Sequence, residues 1–429
     1  MKSSYVVTRR QQECLHSVHP AIPASTYIRL LIALAVLLTF TLTSVSVKAQ
    51  CPTTVLASDL RAPTKIILSQ NGNLLVAEQG NGPNTGRISI LDPNNGERRT
   101  LLDGLPSAIN NLGGEPAPSG PSGLAMRGRT LFIAIGVGDA ALLGPFPGTE
   151  LPNPNPSSPI LSSVLEVHFS ANAEKTASGF TLTEADQFAL KSGAELALDN
   201  GKGDRLTIKL LADFPNVVPA PRPDLPDNTV SSNPFGVAVH SNLLYVVDAS
   251  LNLTWTVELN TGATAVLTRF ASLPNPLFPF GPPAIDPVPD SIHLFGGQFL
   301  VTLLSGFPFP PGVAQVRIVD PHTGEDQPFI TGLTSAIDVL PVKTPGGGNE
   351  FLTLEFSTDQ LAQAPGRLQL FTSPSGPPVV IADCLITPTS MALDPKTGSL
   401  FVTEIFTGRI IEVAVAGVST NSGKQLSRG

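Results

Sequence analysis

Short apolar runs recur along the chain in sets of four, and turns rich in Gly, Pro and Asn separate them. In each set a first run begins near a Pro or a small residue, and a denser apolar run follows. A turn, an alternating run and usually a last short run complete the set. Four strands per repeat at this period predict the blade of a β-propeller. The six repeats begin at Pro63, Pro121, Pro234, Asp290, Ala336 and Thr389.

The interval between Pro121 and Pro234 is about twice the usual spacing, so seven blades are the alternative to six. Residues 170–203 lack a dense β-branched run, however. Thr183 to Leu196 carries apolar residues at helical spacing, and Thr183 with Asp186 resembles an N-terminal capping pair. The pattern therefore predicts an all-β, six-bladed propeller with a helical insertion.

The sixth repeat is one strand short, and a matching strand stands at the other end of the chain. Residues 53–58 mirror the strand that begins at Val379 in the fifth repeat. We expect them to supply the outer strand of the sixth blade, which closes the ring and removes an open edge. Residues 50–417 then form a single domain.

The N-terminal segment has the order of a signal peptide. Leu30 to Phe40 is almost wholly apolar, and small residues flank a cleavage position after Ala49, so residues 1–49 are predicted to be removed on export. An uncleaved anchor is the alternative, because Leu30 to Val47 is uncharged. We predict a secreted or periplasmic protein whose polar tail, residues 418–429, is disordered.

Charge limits the kinds of partner. The chain has a formal net charge of −8, and its first 49 residues carry five Lys or Arg and one Glu, so the remainder is more acidic still. Such a surface repels phosphate backbones and anionic membranes. We expect a monomer that binds neither nucleic acid nor, after cleavage, a membrane.

Two cysteines remain after cleavage, Cys51 and Cys384. An oxidising compartment would permit a disulfide between them. Cys51 precedes its outer strand, however, whereas Cys384 ends the neighbouring one. Strands about 20 Å long would hold the two Cα atoms beyond the ~7 Å limit, so the alignment argues against a bridge.

Acidic residues end four of the six second strands and suggest two kinds of chemistry. A ring of carboxylates could hold Ca²⁺. Three of the copies also open their third strand with Arg, however, which favours cross-strand Glu–Arg pairs as a repeated structural device. The second strands end in Glu78, Ile135, Asp248, Leu303, Glu355 and Glu404, and the arginines are Arg87, Arg367 and Arg409.

Asp248 has no such arginine, and two inserted loops follow the second strands of other repeats. The first, residues 138–159, holds Asp139, and the second holds Phe307 and Phe309 in a Pro-rich segment. A carboxylate beside an apolar cover suits a small-molecule site at the tunnel mouth, with Asp248, Phe307, Phe309 and Asp139 as candidate ligand-binding residues. The loop serves equally as a plug, and Asp248 equally as a cap of its own turn.

The segment from Gly306 to Gly312, followed by Ala314-Gln-Val316, resembles the ScyD/ScyE family, as do Asn233 to Val237 and Val246 to Ala249. This resemblance covers about residues 60–416 and implies a secreted bacterial propeller of the NHL-repeat and six-bladed TolB-like type. Family members often carry Glu where this chain has Leu303 and Asp where it has Ser232. The resemblance implies no particular reaction and no catalytic residues.

The sequence thus predicts an exported, non-enzymatic propeller that binds a small molecule, a glycan or an extracytoplasmic protein. No catalytic motif or constellation stands out. One alternative is a Ca²⁺-dependent hydrolase or lactonase of the gluconolactonase type. Another, which rests on the family's name, is an accessory protein in the maturation of a pigment or secondary metabolite.

Overall fold

A computed structural model of the chain describes residues 51–175, 179–344 and 346–415. The proposed signal peptide and the polar tail lie outside these residues. The described chain is nearly all β, with one α-helix, α1 (Glu184–Lys191).

The strands of the N-terminal half include several very short ones. In chain order they are β1 (Thr53–Ala57), β2 (Pro63–Leu68), β3 (Leu74–Glu78), β4 (Gly86–Leu91), β5 (Arg98–Leu105), β6 (Ala108–Asn110), β7 (Ala117–Ser119), β8 (Pro121–Arg127), β9 (Thr130–Ile135), β10 (Ala141–Leu143), β11 (Glu150–Pro152), β12 (Ser163–Phe169), β13 (Phe180–Thr181), β14 (Leu196–Asp199), β15 (Arg205–Asp213), β16 (Val217–Pro219) and β17 (Thr229–Ser231).

The strands of the C-terminal half are more regular. They are β18 (Pro234–His240), β19 (Leu243–Asp248), β20 (Leu253–Glu258), β21 (Thr264–Arg269), β22 (Leu273–Pro274), β23 (Ala284–Ile285), β24 (Pro289–Phe295), β25 (Gln298–Leu303), β26 (Ala314–Val319), β27 (Asp326–Leu333), β28 (Ala336–Lys343), β29 (Asn349–Glu355), β30 (Gly366–Phe371), β31 (Val379–Leu385), β32 (Pro388–Leu393), β33 (Leu400–Glu404) and β34 (Arg409–Val413).

Six larger sheets of four or five strands contain the predicted repeats. In order from the innermost strand they are β2-β3-β4-β5-β13, β8-β9-β12-β15-β14, β18-β19-β20-β21, β24-β25-β26-β27, β28-β29-β30-β31 and β32-β33-β34-β1. Each innermost strand contacts the innermost strand of the next sheet, and the contact between β32 and β2 completes a closed cycle. The arrangement is consistent with a β-propeller, as the sequence predicts.

The hydrophobic core is divided among the interfaces between neighbouring sheets. Leu75 of β3 belongs to the same buried cluster as Ile133 of the second sheet, whereas the adjacent Val76 belongs to a cluster with Phe401 of the sixth. Successive side chains of a strand point to opposite faces, so a second strand with a neighbour on both sides is apolar on both faces. This burial explains the dense apolar runs in the sequence.

The long interval after Pro121 contains helix α1 and a small sheet. Thr183 accepts a hydrogen bond from the Asp186 N–H, and the Asp186 carboxylate accepts one from the Thr183 N–H, which confirms the predicted capping pair. The small sheet consists of the three-residue strands β10, β11, β17 and β16. Two-stranded ribbons formed by β6 with β7 and by β22 with β23 complete the described structure.

Strand β1 closes the ring as predicted. It pairs antiparallel with β34, and Thr53 lies opposite Val413 while Val55 lies opposite Ile411. The first strand of the described chain is therefore the outer strand of the last sheet.

The expectation that Cys51 and Cys384 are too far apart was wrong. They form a disulfide, with their Cα atoms 5.8 Å apart. Adjacent strands of a sheet are rotated relative to each other by about 20–25°. From the innermost to the outermost strand this rotation accumulates over three steps. The outer strands are therefore strongly inclined, and the end of one outer strand lies near the start of the outer strand of the next sheet. The other end of β1 shows the same relation, because Arg98 at the start of β5 donates to the Asp59 carbonyl at 2.8 Å.

Candidate functional site

The predicted Glu–Arg pairs form in all three repeats that carry them. Each Arg lies directly opposite its Glu in the antiparallel register. The N···O distance is 2.6 Å in every pair, and the glutamates are almost fully buried. The pairs are Glu78 with Arg87, Glu355 with Arg367 and Glu404 with Arg409.

These glutamates also hold the segment that leads into each innermost strand. Glu78 accepts a hydrogen bond from the Arg61 N–H at 2.6 Å, and Glu404 accepts one from the Ile386 N–H at 2.7 Å. Carboxylates that are already paired have little charge left for a cation. In the described ranges, no group of three or more His, Cys, Asp or Glu side chains is arranged to hold a metal ion.

Asp248 has no arginine, but it does not lack partners. It is fully buried and accepts hydrogen bonds from the Asn233 N–H at 2.9 Å, the Leu251 N–H at 3.0 Å, the Ser232 hydroxyl and the Trp255 indole. Burial raises the pKa of Asp248, although these hydrogen bonds oppose the shift. Asp248 thus performs the same loop-holding task as the glutamates.

The ends of the six second strands converge on one cavity of about 330 Å³, which we call the axial cavity. The residues that line it from these ends lie one or two positions after each strand. The loops that follow the six second strands therefore meet around one cavity. The six residues are Gln79, Val137, Ser250, Leu304, Phe356 and Ile405.

Asp290 gives the axial cavity its most unusual polar group. It lines the cavity and is only 4% exposed, and its Oδ2 atom has no hydrogen-bond partner within the described protein. Ser231 lines the same cavity, and its hydroxyl is also buried without a partner in the part of the chain that the structure describes. Buried polar atoms are rarely left unpaired, because each costs about 1–3 kcal/mol.

A second carboxyl group, that of Glu150, also lines the axial cavity. It accepts a hydrogen bond from the Ser231 N–H at 2.7 Å, and burial raises its pKa. Burial raises the pKa of Asp290 further, and the nearby charge of Asp338 adds to this effect. The surroundings of both groups therefore favour their protonated forms.

Asp338 lies near Asp290 but has the opposite electrostatic character. Burial alone would raise its pKa, but Lys65 and His293 hold the pKa of Asp338 well below its usual range. His293 Nε2 lies 2.8 Å from Oδ1, and Lys65 Nζ lies 3.4 Å from Oδ2. The Ser390 hydroxyl and the Met391 N–H donate to Oδ2 as well. Asp338 is thus a compensated anion.

The remaining candidate residues are not part of the lining of the axial cavity. Asp139 accepts hydrogen bonds from the Ser157 N–H and hydroxyl, both at 2.9 Å, and so holds its own loop together. Phe307 is 48% exposed and packs against Phe280, with ring centroids 5.5 Å apart. None of the predicted residues Asp248, Phe307, Phe309 and Asp139 is among those that line the axial cavity.

Sequence reasoning missed two features. Asp290 is the only acid at the second position of the innermost strand regions, where the other repeats carry Thr64, Ser122, Phe235, Ile337 and Thr389. A position-by-position comparison would have singled it out. Phe278-Pro-Phe280 repeats the motif of Phe307-Pro-Phe309, and the repeat predicts the aromatic contact between the two loops.

The comparisons with known proteins reveal similarity in backbone structure. No protein-family model matches the sequence, and no curated protein matches it significantly. Similar solved structures include auxiliary nutrient binding proteins from Bacteroides thetaiotaomicron VPI-5482 (10% identity, TM-score 0.46, 83% of this chain and 69% of that chain) and Bacteroides ovatus ATCC 8483 (10% identity, TM-score 0.45, 85% and 77%). A virginiamycin B lyase from Staphylococcus aureus is also similar (12% identity, TM-score 0.40, 85% and 99%).

Similarity at these levels assigns no activity to this chain, and the resemblance to the ScyD/ScyE family stays a prediction. In residues 51–175, 179–344 and 346–415, no helix has the length and apolar character needed to cross a membrane.

Proposed function

We propose that this protein is an exported, six-bladed β-propeller that binds a small molecule in its axial cavity. The observation that carries the proposal is the cavity itself, which the loops of all six larger sheets line. Two of its lining residues, Asp290 and Ser231, have a buried polar atom without a partner among the described residues. A volume of about 330 Å³ lies within the range of small-molecule pockets. Apolar walls with a few convergent polar groups are typical of such sites.

Two features support the architectural and cellular parts of the proposal. The closed cycle of six innermost strands is what six blades around an axis produce. The disulfide between Cys51 and Cys384 favours an oxidising compartment, as the predicted signal peptide does. The ScyD/ScyE resemblance implies the same architecture and location.

A ligand screen on a blocked cavity tests the proposal. Ser250 is half-buried and lines the axial cavity, so Ser250→Trp would place an indole ring inside it. Thr264→Trp, on an exposed position of an outer strand, is the matched control. We expect thermal-shift hits from a panel of polar small molecules on the wild type and on Thr264→Trp, and their loss in Ser250→Trp. Hits that persist in Ser250→Trp, or a panel without hits, would contradict the proposal.

The same panel tests the earlier hypothesis that Asp248, Phe307 and Phe309 bind the ligand. That hypothesis predicts loss of binding in Asp248→Asn and in a Phe307→Ala, Phe309→Ala double variant. The axial-cavity proposal predicts that the double variant retains its hits, because neither ring lines the cavity. The two hypotheses therefore give opposite results for one variant.

Calcium dependence separates binding from the alternative of a lactonase. A bound ion stabilises a fold by mass action. A rise in melting temperature with millimolar Ca²⁺ would favour the hydrolase class, and we expect no such rise.

A further inference from the structure

We infer that the ligand of the axial cavity is a small organic cation, such as a protonated amine on an apolar body. This inference rests on the proposed function, and it names the class of molecule that the cavity's own groups select. Three properties of the lining support it: the sign of its ionisable groups, the unpartnered state of Asp290 and the presence of aromatic rings.

The ionisable groups that line the axial cavity are all acidic. Asp290 and Glu150 contribute carboxyl groups, whereas none of the lining residues is Lys, Arg or His. A carboxylate or phosphate ligand would find no cation in the lining to pair with, and its charge would oppose the ionisation of both acids, whereas a cation would favour their ionised forms. The lining therefore selects against anions.

Asp290 is the carboxyl group in this region that has no paired cation among the described residues, which is why its surroundings favour the protonated form. Asp338, its neighbour, is paired with Lys65 and His293 and accepts further hydrogen bonds from Ser390 and Met391. Asp290 shares none of these partners, and within the described part of the chain its Oδ2 accepts no hydrogen bond. An ammonium group in the cavity would pair with the Asp290 carboxyl group, stabilise its ionised form and supply the positive charge that the lining lacks.

The walls suit the rest of such a molecule. Phe235, Phe356 and Phe406 line the axial cavity together with aliphatic side chains. Aromatic faces attract organic cations, and the attraction strengthens when the cation is desolvated. A ligand with an ammonium group and an apolar body therefore matches the two kinds of surface that the cavity presents.

Isosteric probes of different charge test the inference. We would titrate benzylamine, benzyl alcohol and benzoate into the wild type at neutral pH by calorimetry, because the three share a ring and differ in charge. We expect benzylamine to bind, benzyl alcohol to bind more weakly and benzoate not to bind. Asp290→Asn should weaken benzylamine binding about 30-fold or more, as loss of one partner of a buried charge pair does. The control Asp227→Asn, at an exposed position, should leave it unchanged.

Each outcome bears on a defined claim. Equal binding of benzylamine and benzyl alcohol that Ser250→Trp abolishes would overturn the inference and leave the proposed function intact. Failure of benzylamine to bind would overturn the inference, and the wider panel on Ser250→Trp would still decide the proposed function. Glu150→Gln provides a second acid variant if Asp290→Asn does not fold, and it should also weaken benzylamine binding.

Discussion

Asp290 shows how one position in a repeated fold acquires a distinct role. The residues at the corresponding position of the other repeats carry a hydroxyl group or are apolar, and their burial costs little free energy. A carboxyl group that is equally buried must be protonated or paired with a partner, or else it lowers the free energy of unfolding. An unpartnered Asp290 therefore destabilises the free protein, and a role in ligand binding would explain its presence.

The stability cost of Asp290 predicts a pH-dependent gain in an Asp290→Asn variant. Its folded-state pKa is raised by burial and by Asp338, so the folded state binds the proton more tightly than the unfolded chain does. The contribution of Asp290 to wild-type stability therefore falls as pH rises from about 3.9, the unfolded pKa, through the folded pKa. Asn does not titrate and avoids this loss.

Urea unfolding from pH 3 to pH 8 measures the effect. We expect the free energy of unfolding of Asp290→Asn, relative to wild type, to increase with pH across this window. The groups that face Asp290 are Asp338 and, through it, Lys65 and His293, and they are unchanged in the variant. A difference that is constant with pH would show that Asp290 is not held protonated.

Sequence alone could predict some residue contacts and not others, for a physical reason. The Glu–Arg pairs were predictable because both partners lie on adjacent strands of one repeat, in a register that the pattern fixes. The partners of Asp248 include Ser232 and Asn233, which lie in an irregular connection with no periodicity. The pattern therefore shows that Asp248 lacks an arginine, but it does not show which groups take the arginine's place.

At the scale of the elements, the strands were predictable because their buried positions require apolar residues at a regular spacing in the sequence. Second strands are apolar on both faces, and the third strands alternate. The inclination of the outer strands was not predictable in the same way. Twist accumulates from strand to strand across a sheet, and no residue pattern within a single strand indicates the total. The separation of Cys51 and Cys384 was misjudged for this reason.

The pairing of β3 with β4 predicts a large stability loss in Glu78→Gln. Glu78 is fully buried and accepts hydrogen bonds from Arg87, the Arg61 N–H and Ser89. Removal of its charge leaves the buried Arg87 guanidinium without a counter-ion, which typically costs about 3–5 kcal/mol. Urea unfolding measures this loss.

Asp224→Asn is the matched control, because it removes the acid of the exposed pair between Asp224 and Arg222. Exposed ion pairs are screened by water and salt, so this change should have little effect. A loss in Glu78→Gln no greater than that in the control would mean that the pair between β3 and β4 does not hold the inner loop in place.

At the scale of the whole molecule, stability depends on each sheet having two neighbours. The buried apolar residues form separate clusters between adjacent sheets rather than one central core. An interface lost at any point therefore opens the ring. The sequence could predict closure from a strand missing in the last repeat, but the axial cavity depends on side chains from all the sheets and on how the loops meet.

Closure predicts that the N-terminal strand is essential, although it lies outside the six repeats. A protein that begins at Ala62 lacks β1 and Cys51, and so it exposes the edge of β34 and loses the disulfide. A Cys51→Ser, Cys384→Ser double variant loses only the disulfide, which typically contributes about 2–5 kcal/mol. We expect melting temperatures in the order of the protein that begins at Gln50, then the double variant, then the protein that begins at Ala62, and aggregation of the last. Equal melting of the last two would show that the disulfide, rather than strand pairing, closes the ring.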